Sequence, residues 1–207
     1  MFSIFKKWYN GVGDNLKDSI LYTIVRPIVT IYFKIIYKPK YIGIENIPKE
    51  GRVILASNHK NNLDCIYLIS STKRTIHFLA KKELFSGLKK IIFNNMGLIP
   101  VDRGNSEKRH EAFLESIKYL ENDKVIGIFP ESTFNKSDKP ILPFKMGSVK
   151  MSYETKSPIV PVIIKGEYKK FSKNLVIEFL KPIYISSDDF ENENKKLENI
   201  FINELEE

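Results

Sequence analysis

Cysteine is nearly absent: Cys65 is the only one in 207 residues. That excludes an internal disulfide and any zinc site built on several thiolates, and it fits a reducing compartment. Histidine is also scarce, with three in the chain, so imidazole chemistry has few places to occur. Met1 to Asn10 lacks the long apolar core of a secretory leader, and no small-residue cleavage site follows it. No internal repeat, low-complexity block or metal-ligating cluster stands out, so neither a metal ion nor a prosthetic group is expected. The chain also carries no readable nucleic-acid recognition motif, which argues against a nucleic-acid partner.

What is present describes a globular protein. Apolar residues make up 43% and charged residues 28%, which excludes wholesale disorder, and the length suits one domain with an appendage. The formal net charge of +8 is unevenly distributed. From Asp188 onward there are eight acids and two lysines, leaving +14 on residues 1–187. A body this basic attracts nucleic acid, anionic lipid headgroups or phosphorylated metabolites, and charge alone does not choose among them.

Residues 19–37 are strongly apolar yet include Arg26, Pro27 and Lys34. On a helix, Thr23, Arg26, Pro27, Thr30 and Lys34 share a narrow sector, and isoleucines, Leu21, Val25 and Tyr32 cover the rest. This predicts a helix lying in a membrane surface, with Lys6, Lys7, Lys38 and Lys40 available to anionic headgroups; a helix packed on the domain, and one spanning the bilayer at the cost of placing Arg26 near its centre, are the alternatives. The expected location is the cytoplasmic face of the membrane, peripheral or monotopic. Deleting residues 1–37 should then weaken membrane recovery. Three regions follow: residues 1–38 as a membrane-associating segment, 39–187 as the main domain, and 188–207 as an acidic tail whose Leu197, Ile200, Phe201 and Leu205 share a helical face.

Past Pro39, short apolar runs alternate with helical stretches. Strands are predicted over 41–44, 52–57, 76–80, 99–101, 125–129, 159–164 and 175–180, with a short one at 183–185. Helices are predicted over 63–70, 82–94, 106–121 with Ser106 as N-cap, and 147–155. Pro161 interrupts an apolar strand and predicts an edge position or a bulge. This order gives an α/β fold with a mixed, largely parallel central sheet flanked by helices, whose ligand site lies at the carboxyl ends of strands.

The chemistry-bearing residues follow predicted strands. Asn58-His59-Lys60-Asn61-Asn62-Leu63-Asp64 comes after the run Val53-Ile54-Leu55-Ala56. A helix starting near Asn61 places Asp64 one turn inside, where its carboxylate can hold one nitrogen of His59 while the other faces a substrate hydroxyl as general base. On this reading Asp64→Asn lowers turnover and leaves the fold largely intact. Asp102-Arg103-Gly104 ends another strand, and a guanidinium there suits phosphate. Pro130-Glu131-Ser132-Thr133 ends a third, presenting a carboxylate and two hydroxyls on a stiff turn.

Taken in order, Asn58-His59 with Asp64, Gly97-Leu98-Ile99-Pro100-Val101-Asp102-Arg103, Phe129-Pro130-Glu131-Ser132-Thr133 and Ile159-Val160-Pro161-Val162 resemble the four blocks of the glycerolipid acyltransferases, nearest the bacterial 1-acylglycerol-3-phosphate acyltransferase type. The lead-in Gly43-Ile44-Glu45-Asn46-Ile47-Pro48 is similar as well, so the match runs from about Tyr41 to Ile185. The resemblance implies transfer of a fatty acyl group from a thioester, carried by coenzyme A or acyl carrier protein, to a lysophospholipid hydroxyl. It implies membrane lipid as a partner, His59 and Asp64 as the catalytic pair, and Asn58, Arg103, Glu131, Ser132, Thr133 and Lys145 as substrate-binding residues. Pro161 would shape an apolar wall. The third block departs from the family's Phe-Pro-Glu-Gly-Thr-Arg, with Ser132 in place of glycine and Phe134 in place of arginine. A second guanidinium is therefore missing, and a left-handed turn suited to glycine would be strained. A different acceptor, or a lipid-surface binding protein without turnover, are the competing expectations.

Overall fold

The computed structural model describes residues 20–86 and 96–206. Helix α1 (Ile20–Tyr37) leads into strand β1 (Lys40–Ile42), and β2 (Val53–Ser57) runs to helix α2 (Asp64–Ser71). Next come β3 (Ile76–Lys81), β4 (Ile99–Val101), α3 (Ser106–Glu121) and β5 (Val125–Ile128). Helix α4 (Gly147–Thr155), β6 (Ile159–Lys165), β7 (Val176–Phe179) and α5 (Phe190–Glu206) complete the order. The helix expected over 82–94 falls largely outside the described residues, and its first residues, Lys82–Leu84, form one tight 3-10 turn. The short strand expected at 183–185 reduces to a single bridge between Ile183 and Ile159.

The strands make one seven-stranded sheet in the order β1-β7-β6-β2-β5-β3-β4. Parallel ladders join β2 to both β5 and β6, and β3 to both β5 and β4. β7 pairs antiparallel with β6, and β1 lies parallel to β7. Central β2 is buried along its whole length, as its unbroken apolar run demands of a strand covered on both faces. Its alternate side chains divide between two cores. Val53 and Leu55 join Tyr67, Leu68 and Phe78 on the α2 side, while Ile54 and Ala56 join Leu120, Val149 and Phe201 under α3, α4 and α5.

Two local expectations are corrected. Pro161 sits inside the sheet, opposite Ala56 of β2. Its carbonyl accepts from Leu180 N–H at 2.9 Å, and a strand residue's nitrogen points to the same side as its oxygen. The missing N–H therefore faces Leu180, one residue past the end of β7 at Phe179, so the one bond forgone lies at the margin of the β6–β7 ladder. At α3 the cap is Asn105, not Ser106: its side chain accepts from the N–H groups of Glu107 and Lys108. Gly43 explains the lead-in motif, since with φ 70° a Cβ there would stand 2.1 Å from the carbonyl oxygen of Phe179, to which Asn46 also donates at 2.8 Å.

Helix α1 is no detached segment. Tyr22 is buried in the core, with Phe33 and Tyr37 packed against it. Arg26 donates to the carbonyl of Thr72, which closes α2, at 2.8 Å. The anticipated polar sector is thus split, because Arg26 caps a neighbouring helix instead of facing water, as free carbonyls at a helix end require. On the outer face Ile24, Ile28, Ile31, Tyr32 and Ile35 are all more than half exposed. Among the described residues no helix is long and apolar enough to cross a membrane. Deletion of residues 1–37 would strip a core wall as well as this outer face, so it does not isolate membrane binding.

Candidate active site

Four parallel strands, β2, β5, β3 and β4, bring their carboxyl ends to one edge of the sheet. His59 follows β2, Glu131 follows β5, Lys82 follows β3 and Arg103 follows β4.

His59 Nδ1 lies 2.8 Å from Asp64 Oδ2. Asp64 is fully buried and opens α2 instead of lying a turn inside it. The physical reason is the folded-back carboxylate, whose Oδ2 also accepts from the N–H groups of Lys60 at 2.8 Å and Asn61 at 2.9 Å. Those amides precede the helix, so the carboxylate ties the turn together before the helix begins. Its other oxygen accepts the hydroxyl of Tyr168, whose own pKa is pushed up by burial and then by the Asp64 charge. A buried carboxylate with this many donors needs no further partner.

The imidazole is stacked on Phe129 at 3.9 Å between centroids, with Phe134 tilted against it at 4.3 Å. Two kinds of contact therefore orient it, the hydrogen bond to Asp64 and the packing of two aromatic rings, one stacked and one tilted. Nε2 has no hydrogen bond to any described residue, and the His59 side chain is 12% exposed.

Glu131 joins the first and third blocks. Its Oε1 accepts from His59 N–H at 2.8 Å and its Oε2 from Leu142 N–H at 2.8 Å. Burial raises its pKa, and these two amides together with His59 and Lys60 oppose the rise. Both oxygens are thus committed to backbone, and Glu131 shapes the site by holding its turns. Asn135 N–H donates to the His59 carbonyl at 2.8 Å, a second tie between the same turns.

Other predicted residues fall out differently. Asn58 is buried and gives both side-chain atoms to Ile164, donating to its carbonyl at 3.0 Å and accepting from its N–H at 2.8 Å. The amide fastens the turn to β6 through both its nitrogen and its oxygen. Lys145 contributes its backbone N–H to the Pro130 carbonyl at 2.9 Å, and its side chain is exposed. Thr133 is exposed and Ser132 partly so. Ser132 does adopt the left-handed conformation, with φ 60°. Since that region costs about 1–2 kcal/mol for a residue with a Cβ, Ser132→Gly should raise unfolding stability by about 0.5–1 kcal/mol, after the extra freedom of unfolded glycine is subtracted. A urea-unfolding midpoint at or below that of the parent would show that the turn is not strained.

Arg103 is exposed at the outer end of this edge, three strands from His59, an offset of about 14 Å at ordinary strand spacing. Partial burial lowers its pKa against the opposing field of Glu83, and its guanidinium has no hydrogen bond among the described residues. Lys82 pairs with Asp102 across the ends of β3 and β4. The lone Cys65 has its thiol pKa pushed up to about 12 by burial and by Asp64, so it supplies no thiolate near neutral pH. Among the described residues no group of His, Cys, Asp and Glu could hold a metal ion.

The family model for Acyltransferase matches residues 38–165, which contain the whole His59 to Glu131 constellation. The chain belongs to the acyltransferase family. It is similar to the 1-acyl-sn-glycerol-3-phosphate acyltransferase of Borreliella burgdorferi, 33% identical over 69% of this chain and 57% of that one. The enzyme of the same description from Bacillus subtilis is also 33% identical, over 67% of this chain and 71% of the relative. The chain therefore spans little more than half of the first relative and under three quarters of the second. Among solved structures, the 1-acyl-sn-glycerophosphate acyltransferase PlsC of Thermotoga maritima superposes with a TM-score of 0.68 at 24% identity, over 81% of this chain and 70% of that one. That likeness establishes the α/β fold with its mostly parallel sheet.

Tyr168, Asn135 and Leu142 are site residues that the motifs did not single out. Tyr168 stands about a hundred positions from Asp64 in sequence, on a loop with no periodic pattern. Phe134 was visible as a departure from the family, but its packing on the imidazole was not.

Proposed function

We propose that this acyltransferase moves a fatty acyl group from a coenzyme A or acyl carrier protein thioester to the free hydroxyl of a lysophospholipid, with 1-acylglycerol-3-phosphate as the acceptor. The observation that carries this reading is the His59–Asp64 pair at 2.8 Å with Nε2 open. In the reaction, Nε2 takes the hydroxyl proton while the oxygen attacks the thioester carbonyl. The resulting imidazolium is stabilised by Asp64 and then protonates the departing sulfur, so the proton balance closes on one residue. No enzyme-bound acyl group is required, which suits a cysteine held as the thiol.

Amides of His59, Lys60 and Asn61 already serve Glu131 and Asp64, so they are poor candidates for the oxyanion. The N–H groups of Thr133 and Phe134 have no hydrogen bond among the described residues, and they are the donors assigned here. Arg103 is assigned to the acceptor phosphate, its reach covering part of the offset from His59. Arg103→Ala should raise the acceptor Michaelis constant about tenfold or more, the scale of one charge-assisted hydrogen bond, with turnover little changed. An unchanged constant would leave Arg103 without a role in binding. The mechanism uses no metal or prosthetic group, and the enzyme would work at the cytoplasmic face of the membrane, held peripherally by the outer face of α1.

Phe134 favours a second acceptor reading, because an aromatic ring stands where the family supplies a guanidinium. Labelled acyl thioester offered with lysophosphatidate, lysophosphatidylglycerol and lysophosphatidylcholine decides among them. Product from lysophosphatidate alone upholds the first reading, and product from another acceptor moves the specificity. No product from any acceptor, with lipid binding retained, would establish a lipid-surface protein without turnover.

A further inference from the structure

The loop from residue 166 to 175, between β6 and β7, joins two features that the catalytic reading leaves unconnected. At one end Tyr168 donates its hydroxyl to Asp64 and lies 5.8 Å from the ring of Tyr67. Three residues on, Phe171 donates its N–H to the carbonyl of Ile36 in the last turn of α1. Phe171 is 66% exposed and has φ 60°, a conformation in which a bulky residue is rarely held without a functional reason. Lys169, Lys170 and Lys173 surround it and are exposed. The outer face of α1, which ends at this contact, exposes Ile28, Ile31 and Ile35 and is followed by the exposed Lys38 and Lys40.

We propose that this loop is a second membrane-contacting element that braces the catalytic carboxylate: Phe171 enters the acyl layer beside α1, the three lysines meet anionic headgroups, and the seated loop holds Tyr168 on Asp64. An exposed phenyl ring flanked in sequence by exposed lysines, on a loop tied through its backbone to the end of an isoleucine-faced helix, matches the chemistry of a bilayer boundary, apolar below and anionic above. A soluble acidic partner would satisfy the lysines but would leave the isoleucine face in water. Tyr168 is a positioning residue in this account, acting through Asp64 on His59. The catalytic meaning of the brace rests on the acyl-transfer reading, whereas the docking itself does not.

The test uses the full chain with vesicles of phosphatidylglycerol and phosphatidylcholine, and with phosphatidylcholine alone. Phe171→Ser, and separately the triple change Lys169→Gln, Lys170→Gln and Lys173→Gln, should each lower flotation with anionic vesicles roughly tenfold, a loss on the scale expected for one buried ring or a few headgroup contacts. The triple variant should match the parent on neutral vesicles. Amide hydrogen exchange at Lys60 and Asn61, whose N–H groups bond to Asp64, should slow when the parent binds vesicles, and should not respond in Phe171→Ser or Tyr168→Phe. Tyr168→Phe should float like the parent, which separates bracing from attachment. Parental flotation of both loop variants would overturn the docking, most directly if they instead lost binding to acyl carrier protein. Vesicle-dependent slowing that persists in Tyr168→Phe would overturn the brace. None of these readouts needs turnover, so they stand apart from any failure of the acyl-transfer assay.

Discussion

His59→Ala should lose acyl transfer by about a thousandfold, the middle of the range for a positioned general base, while remaining folded. The reason for the separation is local. The backbone N–H and carbonyl of His59 hold Glu131 and Asn135, and those bonds survive the substitution. What disappears is the ring packed on Phe129 and Phe134, a packing loss of about 0.5–1.5 kcal/mol beyond its buried area. Single-turnover assays with labelled thioester, run beside thermal unfolding, check both halves. A variant that keeps a tenth of parental turnover would mean that another group takes the proton, and the mechanism would fail.

Asp64 offers the second large effect, and two substitutions divide it. The carboxylate accepts from His59, Lys60, Asn61 and Tyr168. In Asp64→Asn the side-chain carbonyl can keep the three donors of the turn and the amide can face the Tyr168 oxygen, which turns acceptor. The fold should therefore change by only about 1 kcal/mol, in agreement with the expectation from sequence. Turnover should fall about 10²–10⁴-fold, because no negative charge remains to steady the imidazolium. The Michaelis constant for the thioester should stay put. Asp64→Ala removes all four acceptor bonds and leaves two part-buried amides without their partner, at up to about 1–3 kcal/mol for each group left unsatisfied. Stability should separate the two variants even where activity does not. Equal stability in urea would show that the turn amides find water.

Much of the framework could be read from the chain because strands buried on both faces are written as unbroken apolar runs. β4, α3 and α4 fall on the residues expected for them, and the parallel order followed from the alternation of runs and helices. The dyad was also legible, since residues 59 and 64 are close neighbours in sequence. Contacts between distant turns were not. Arg26 reads as part of a polar helix face until α2 is seen to end beside it, and nothing in the first motif tells that the Asn58 amide bridges to Ile164. Tyr168 and the Leu142 amide come from loops whose sequences have no period to betray their direction. Phe134 shows the limit from the other side: the motif revealed that a guanidinium had gone, and only packing revealed that its replacement lies against the His59 ring.

The Glu131 carboxylate, shared between the His59 and Leu142 amides, has a dynamic consequence. Neither strand of backbone can lift away without releasing the other, so the His59 turn and the residue-142 segment should open as one cooperative unit with a common free energy in native-state exchange. A ligand that grips either segment would then quiet both, and heat would melt the two rims of the site together.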